Sequence, residues 1–164
     1  MPQILAMKSS SNVPLGIVFH KQAKQYFGAL AKFLEDIGID KYFYVITLVI
    51  ENEKLTQQDL ANFFKIDKAS VVRIVDYLSD KNLVYREKCQ SDRRCYYLKA
   101  SDLAKELHPK ILNYYKLIND KAFEGIETSK IAIFNEVINQ LSANLESLPS
   151  TNFFVKYINT EKKK

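Results

Sequence analysis

Chain breakers are scarce in this sequence. Gly and Pro number four each in 164 residues, which argues against long coil and low-complexity linkers. No apolar run reaches the roughly 18 residues that a membrane span needs. The opening MPQILAMKSSSNVPLG has no basic stretch followed by an apolar core and a cleavage site, so no secretory signal is read there. With no such signal, the two Cys imply a reducing compartment, free thiols and a cytoplasmic protein. The two His, His20 and His108, are far apart and lack Cys or carboxylates at ligand spacing, so no metal is expected. A phosphate loop and a defensible nucleophile–base pair are both missing, which leaves no case for an enzyme or a cofactor. What remains is 47% hydrophobic and 26% charged, enough for an ordinary core in one small domain with helical extensions. The net charge of +5 points mildly to an anionic partner.

From Leu15 to about Asp36, the residues Leu15, Val18, Phe19, Ala23, Tyr26, Phe27, Leu30, Phe33 and Leu34 recur at helical spacing. Gly38 stands where such a helix stops. Residues 42–50, YFYVITLVI, read two ways. The β-branched and aromatic run suits a buried strand, while the alternative is a buried helix from Asp40, as N-cap, to Glu51. Thr56 opens the next helix, with Asp59 completing an imperfect capping box and Leu60, Phe63 and Phe64 as its inner face. Ile66 begins a turn, and Asp67 suits the N-cap of a second helix, Lys68 to Asp80. Val71, Ile74, Val75 and Leu78 point inward there, leaving Lys68, Ser70, Val72 and Arg73 near its exposed N-terminal end. Asn82 then suits a left-handed terminus.

Leu83 to Lys88 and Arg94 to Lys99 read as two short strands around the polar turn CQSDRR, a basic wing. Ser101 caps a helix to about Gly125 that carries Leu103, Leu107, Ile111, Leu112, Tyr115 and Ile118, with Pro109 expected to kink it. Thr128 or Ser129 caps a last long helix with Ile131, Phe134, Val137, Ile138, Leu141 and Leu145. Pro149 interrupts that pattern, and Phe153, Phe154, Tyr157 and Ile158 precede a solvated EKKK tail.

The stretch 55–99, with its helix pair LTQQDLANFFKIDKASVVRIVDYLSDKNLV and the wing triplet Asp92, Arg93 and Arg94, resembles the MarR family of bacterial transcription regulators. The flanking helices fit the same family, which implies helix rather than strand at 42–50. Departures exist: the family commonly has Gly near Lys65 and at Asn82, Thr or Ser at Val72, and Thr at Ala100. The fold class expected is mainly α with a small β-hairpin wing, a winged helix-turn-helix flanked by long dimerisation helices. Residues 1–14 are read as a flexible N-terminal arm and 15–38 and 101–158 as the helical dimerisation region. Residues 39–100 are read as the winged helix-turn-helix DNA-binding domain, and 159–164 as a basic tail.

Between Lys54 and Lys99 ten Lys or Arg face six Asp or Glu, so a local +4 of the chain's +5 lies in the expected DNA unit. Lys68 and Ser70, at a helix N-terminus, would meet phosphate. Arg73 would read a guanine edge, and Val72 offers apolar contact with a thymine methyl. Arg93 or Arg94 would enter a narrow minor groove, and the resemblance assigns Asp92 to an ion pair that fixes the wing arginine. The function expected is a sequence-specific double-stranded DNA-binding transcriptional regulator, in the first instance a repressor, acting as a homodimer on a palindromic operator. Tyr26, Phe27, Tyr42, Phe43, Tyr114 and Tyr115 are candidates to line a pocket for a small aromatic or amphipathic effector that releases it. Alternatives are a winged-helix module for protein–protein contact, and a thiol redox sensor in which Cys89 and Cys95 lie opposite one another, if the hairpin centres on Asp92, and disarm the wing on oxidation.

Overall fold

The computed structural model describes residues 14–39, 41–89 and 95–149. Along them run α1 (Leu15–Leu34), α2 (Phe43–Glu51), α3 (Gln57–Phe64), α4 (Lys68–Asp80), β1 (Val84–Lys88), β2 (Tyr96–Ala100), α5 (Asp102–Ala122) and α6 (Thr128–Glu146). A 3-10 turn, Glu35–Ile37, follows α1 and closes on Gly38 at φ +71°, the left-handed conformation that a residue without Cβ enters freely. The expected arm and tail, together with Phe153, Phe154, Tyr157 and Ile158, lie outside the described residues.

The run 42–50 resolves as helix from Phe43 onward. Phe43, Val45, Ile46 and Val49 of α2 are buried, packed against β2 and α5. A β-branched residue loses only a few tenths of a kcal/mol in a helix, whereas burying one such side chain gains about 1.5–3 kcal/mol. Burial therefore decides, and a helix apolar on every side is a buried helix. Its N-cap is Tyr42, not Asp40, which lies outside the described residues. Tyr42 sits at φ +59° with no side-chain capping bond. Its ring instead packs edge-on against Tyr77 of α4 at 5.4 Å, and Lys41 Nζ lies 4.4 Å from the same Tyr77 ring.

The capping box of α3 is complete. Thr56 Oγ1 accepts from the Asp59 N–H at 3.2 Å, and Asp59 Oδ2 accepts from the Thr56 N–H at 2.9 Å. Leu60 and Ala61 form the buried face, while Phe63, expected to point inward, is 65% exposed. Leu60 and Phe64, four apart, share one side of this eight-residue helix, and Phe63 is turned away from it. Lys65 then takes the left-handed conformation at φ +51°, as does Asn82 at φ +56° beyond α4. Both are positions where the expected family pattern has Gly.

β1 and β2 pair antiparallel from Val84↔Ala100 to Lys88↔Tyr96. The strands start at Val84 and Tyr96 rather than at Leu83 and Arg94, and Arg94 lies outside the described residues with the rest of the wing tip. Leu98 N–H donates to Leu55 O at 2.7 Å and Thr56 bridges Tyr97, which ties the hairpin to the start of α3. The expectation of free thiols is corrected: Cys89 and Cys95 form a disulfide with a Cα separation of 5.3 Å. The hairpin register places them directly opposite each other, a proximity that an argument from compartment does not weigh.

Pro109 lies inside α5, which continues on both sides of it. The N-cap of α6 is Glu127 rather than Thr128 or Ser129, because Thr128 already begins the helix. One core joins Leu34, Ile46, Leu60, Val75, Leu78, Leu98 and Ile111. α6 contributes no buried residue, and Ile133, Phe134, Val137 and Leu145 stay exposed along it, as do Leu15, Ile17 and Phe19 on α1. Among the described residues no helix is long and apolar enough to cross a membrane.

A left-handed non-Gly residue costs roughly 1–2 kcal/mol, and the exposed Lys65–Glu146 pair at 3.8 Å offsets little of it. Lys65→Gly is therefore expected to stabilise the fold by about 1 kcal/mol in urea unfolding, after glycine's extra chain entropy is subtracted. An unchanged or lower midpoint would contradict the left-handed turn.

Candidate nucleic-acid interface

The exposed end of α4 is built from its cap outward. Asp67 Oδ1 accepts from the Ser70 N–H at 2.8 Å, and Asp67 Oδ2 accepts from the Ser70 hydroxyl at 2.7 Å. Arg73 Nη2 donates to Ser70 Oγ at 2.8 Å, which lays the guanidinium back along the first turn of the helix. The Ser70 hydroxyl, then its N–H, hold the Asp67 carboxyl below its ordinary range. A depressed carboxylate stabilises the fold above its unfolded pKa, and that contribution fades as pH falls through the folded value. Ser70, expected to meet phosphate, is thus engaged by the cap and must exchange that bond to do so. Lys68 and Arg73 are exposed, and Val72 is 40% exposed, so three of the four α4 candidates face solvent while Ser70 is half-buried.

A charge that sequence reasoning missed fixes the wing beside this helix. Arg86 of β1 donates through Nε to Gln57 Oε1 at 2.8 Å and through Nη2 to Asp76 Oδ1 at 2.7 Å. One side chain thereby joins the hairpin to the first residue of α3 and to the middle of α4. Its parity with the buried Val84 was a legible signal, since residues two apart on a strand share a face and an inward Arg needs partners. Asp92, Arg93 and Arg94 lie outside the described residues, so their sequence roles stand as expectations. Lys99, on the neighbouring strand, is held by Glu53 O at 2.8 Å and by Glu87 at 3.7 Å.

Among α1, α2, α3 and α5 lies a cavity of about 710 Å³, within the size range of small-molecule sites. Tyr26, Phe27, Tyr42, Phe43 and Tyr115 line it, so five of the six expected aromatics converge. Tyr114 does not, because its hydroxyl is drawn away to Asp36 Oδ2 at 2.5 Å. Tyr44, Thr47, Leu48, Phe63 and Phe64 were not anticipated as lining. The first three share a helix face at i, i+3 and i+4, a relation visible only once this segment is helix. Lys41 is the charged residue in the lining. Tyr26 donates to Asn119 at 2.7 Å, and burial raises the hydroxyl pKa of Tyr26, Tyr44 and Tyr115. The cavity is thus apolar and aromatic, with neutral hydroxyls and one cation. Among the described residues no cluster of three or more His, Cys, Asp or Glu could hold a metal.

Residues 39–94 match the MarR family. A MarR-family transcriptional regulator from Listeria monocytogenes, complexed with a 26mer DNA, superimposes with a TM-score of 0.73 at 16% identity, over 81% of this chain and 89% of its own. A MarR regulator from Methanosarcina mazei gives 0.66 at 22% identity, over 79% and 99%. CouR from Rhodococcus jostii, bound to p-coumaroyl-CoA, gives 0.66 at 25% identity, over 87% and 100%. The first two likenesses, at such identities, establish the fold.

If Arg86 positions the wing, Arg86→Ala weakens duplex binding by about 1 kcal/mol, some fivefold in Kd. Asp76→Ala added to Arg86→Ala then costs much less than it does alone, as expected for partners in one contact. Fully additive losses in the double-mutant cycle would contradict the link.

Proposed function

We propose that this chain, whose residues 39–94 match the MarR family, is a sequence-specific regulator of transcription that binds double-stranded DNA as a homodimer. The observation that carries this reading is the N-terminal half of α4, where Lys68, Val72 and Arg73 face solvent while the rest of the helix is anchored in the core. In the major groove that end presents Lys68 to phosphate, and Arg73 exchanges Ser70 Oγ for a guanine edge. Arg93 or Arg94 of the wing enters the adjacent minor groove, with Asp92 fixing the wing arginine.

Dimerisation is supported by the apolar surface of α6 and of the start of α1, which this chain alone leaves uncovered. A twofold pair sets two recognition helices about one helical turn apart, so the operator is a palindrome. Binding there blocks transcription, and an aromatic or amphipathic effector in the cavity releases the DNA. The complexes of the Listeria and Rhodococcus proteins are compatible with a DNA face and an effector site on one fold.

Selection of bound duplexes from a random pool tests this. The parent should enrich a palindrome with half-sites about one turn apart, and Arg73→Ala should lose roughly 1–3 kcal/mol and relax preference at one position in each half. No enrichment would favour a winged helix used for protein contact. Phe134→Asp combined with Val137→Asp should yield a monomer in sedimentation and abolish palindrome binding; a persisting dimer would remove α6 from the interface.

A further inference from the structure

The two cysteines lie at the base of the wing tip, and nothing in the DNA reading uses them. The paired positions of the hairpin sum to a constant, from Val84↔Ala100 to Lys88↔Tyr96, and the next pair in that register is Cys89↔Cys95. Cys89 N–H donates to Cys95 O at 3.0 Å, so the pair continues the ladder. Its Cα separation of 5.3 Å is that of a hydrogen-bonded antiparallel pair, about 5.5 Å. In the closed form the two sulfurs thus meet within the register of the ladder. The closed ring encloses residues 90–94, the Gln-Ser-Asp-Arg-Arg run that carries the two wing arginines.

We propose that Cys89 and Cys95 are a reversible dithiol–disulfide pair, closed by a hydroperoxide and opened by a cellular dithiol, and that its closed form binds DNA more tightly. Cys95 is partly exposed and Cys89 is 4% exposed, which casts Cys95 as the thiol that meets the oxidant and Cys89 as the one that resolves. The Cys95 thiolate attacks the peroxide, breaking the O–O bond to give a sulfenic acid and, after protonation, water. The Cys89 thiolate then attacks the sulfenic sulfur, forming the S–S bond and expelling hydroxide, which is protonated to a second water. Two thiols lose two electrons and two protons, and hydrogen peroxide becomes two waters. A dithiol reverses the change by exchange through a mixed disulfide.

The sign follows from the register. A cross-link that pulled the strands out of pairing would disarm the wing, as the sequence first suggested. One that coincides with the pairing leaves the ladder of β1 and β2 in register. Fixing a binding loop before contact reduces the ordering cost paid on binding, so oxidation strengthens the grip rather than loosening it. This inference rests on the DNA reading for its regulatory half alone.

The test has two arms on the full-length protein. First, reduced protein is treated with hydrogen peroxide, and the remaining thiols are counted by alkylation and mass. Loss of both thiols, restored by dithiothreitol, is expected, and two thiols persisting after peroxide would overturn the chemistry. Second, the affinity of oxidised and reduced protein for the selected palindrome is compared with that of Cys89→Ser/Cys95→Ser. The oxidised parent should bind about three- to tenfold tighter than the reduced parent, and the double variant should match the reduced parent under both conditions. Equal affinities, or weaker binding on oxidation, would overturn the proposed control. Failure of every form to hold any duplex would overturn the DNA reading and the regulatory half with it, and the thiol count would then decide the chemistry.

Discussion

The burial of α2 is the constraint on which the rest depends. Residues 43–50 of a run that favours a strand locally are held as a helix because β2 and α5 cover them. That helix packs on β2 and on α5, and so joins the winged hairpin to one of the long outer helices. The junction just before it is strained, since Tyr42 is a bulky residue at φ +59°. The Tyr42–Tyr77 contact and the Lys41 cation over Tyr77 hold this junction against α4. The same Tyr42 lines the cavity. One residue thus touches both the space proposed for an effector and the helix proposed to read DNA.

Polar contacts refine what this packing places. Asp67 starts α4 and, through Ser70, holds Arg73 along the helix before any ligand arrives. Arg86 does the corresponding work for the hairpin, with one partner on α3 and one on α4. Neither network is deep, because Arg86 is about one-third exposed and its partner Asp76 more so. Such pairs add little to global stability. Their effect is on geometry, since they set the hairpin against α3 and α4.

Elements whose signals are local were legible in the sequence. The caps at Thr56, Asp67 and Ser101, the left-handed Gly38 and Asn82, and the span of α4 follow from side chains that act within four residues. Features set by distant contacts were not. Tyr114 leaves the cavity for Asp36, because a partner far along the chain decides where its ring settles. Segment 42–50 shows the limit most clearly: its local preference is strand, and family resemblance rather than propensity gave the helix. The Cys89–Cys95 pairing was legible as a conditional, since a hairpin centred on Asp92 puts the two opposite each other, and the observed register has that centre. Lys65 and Val72 depart from the expected family pattern without disturbing the fold, since one is a strained turn residue and the other an exposed apolar one.

The salt dependence of binding to the preferred duplex tests the central claim most directly. If the exposed end of α4 and the wing dock on the phosphate backbone, log Kd rises steeply and linearly with log salt, by roughly 0.9 for each phosphate neutralised. Lys68→Ala should then weaken all sequences alike and lower that slope by about one. Binding that is indifferent to salt, or a slope unchanged by the loss of Lys68, would contradict the placement of DNA on this face.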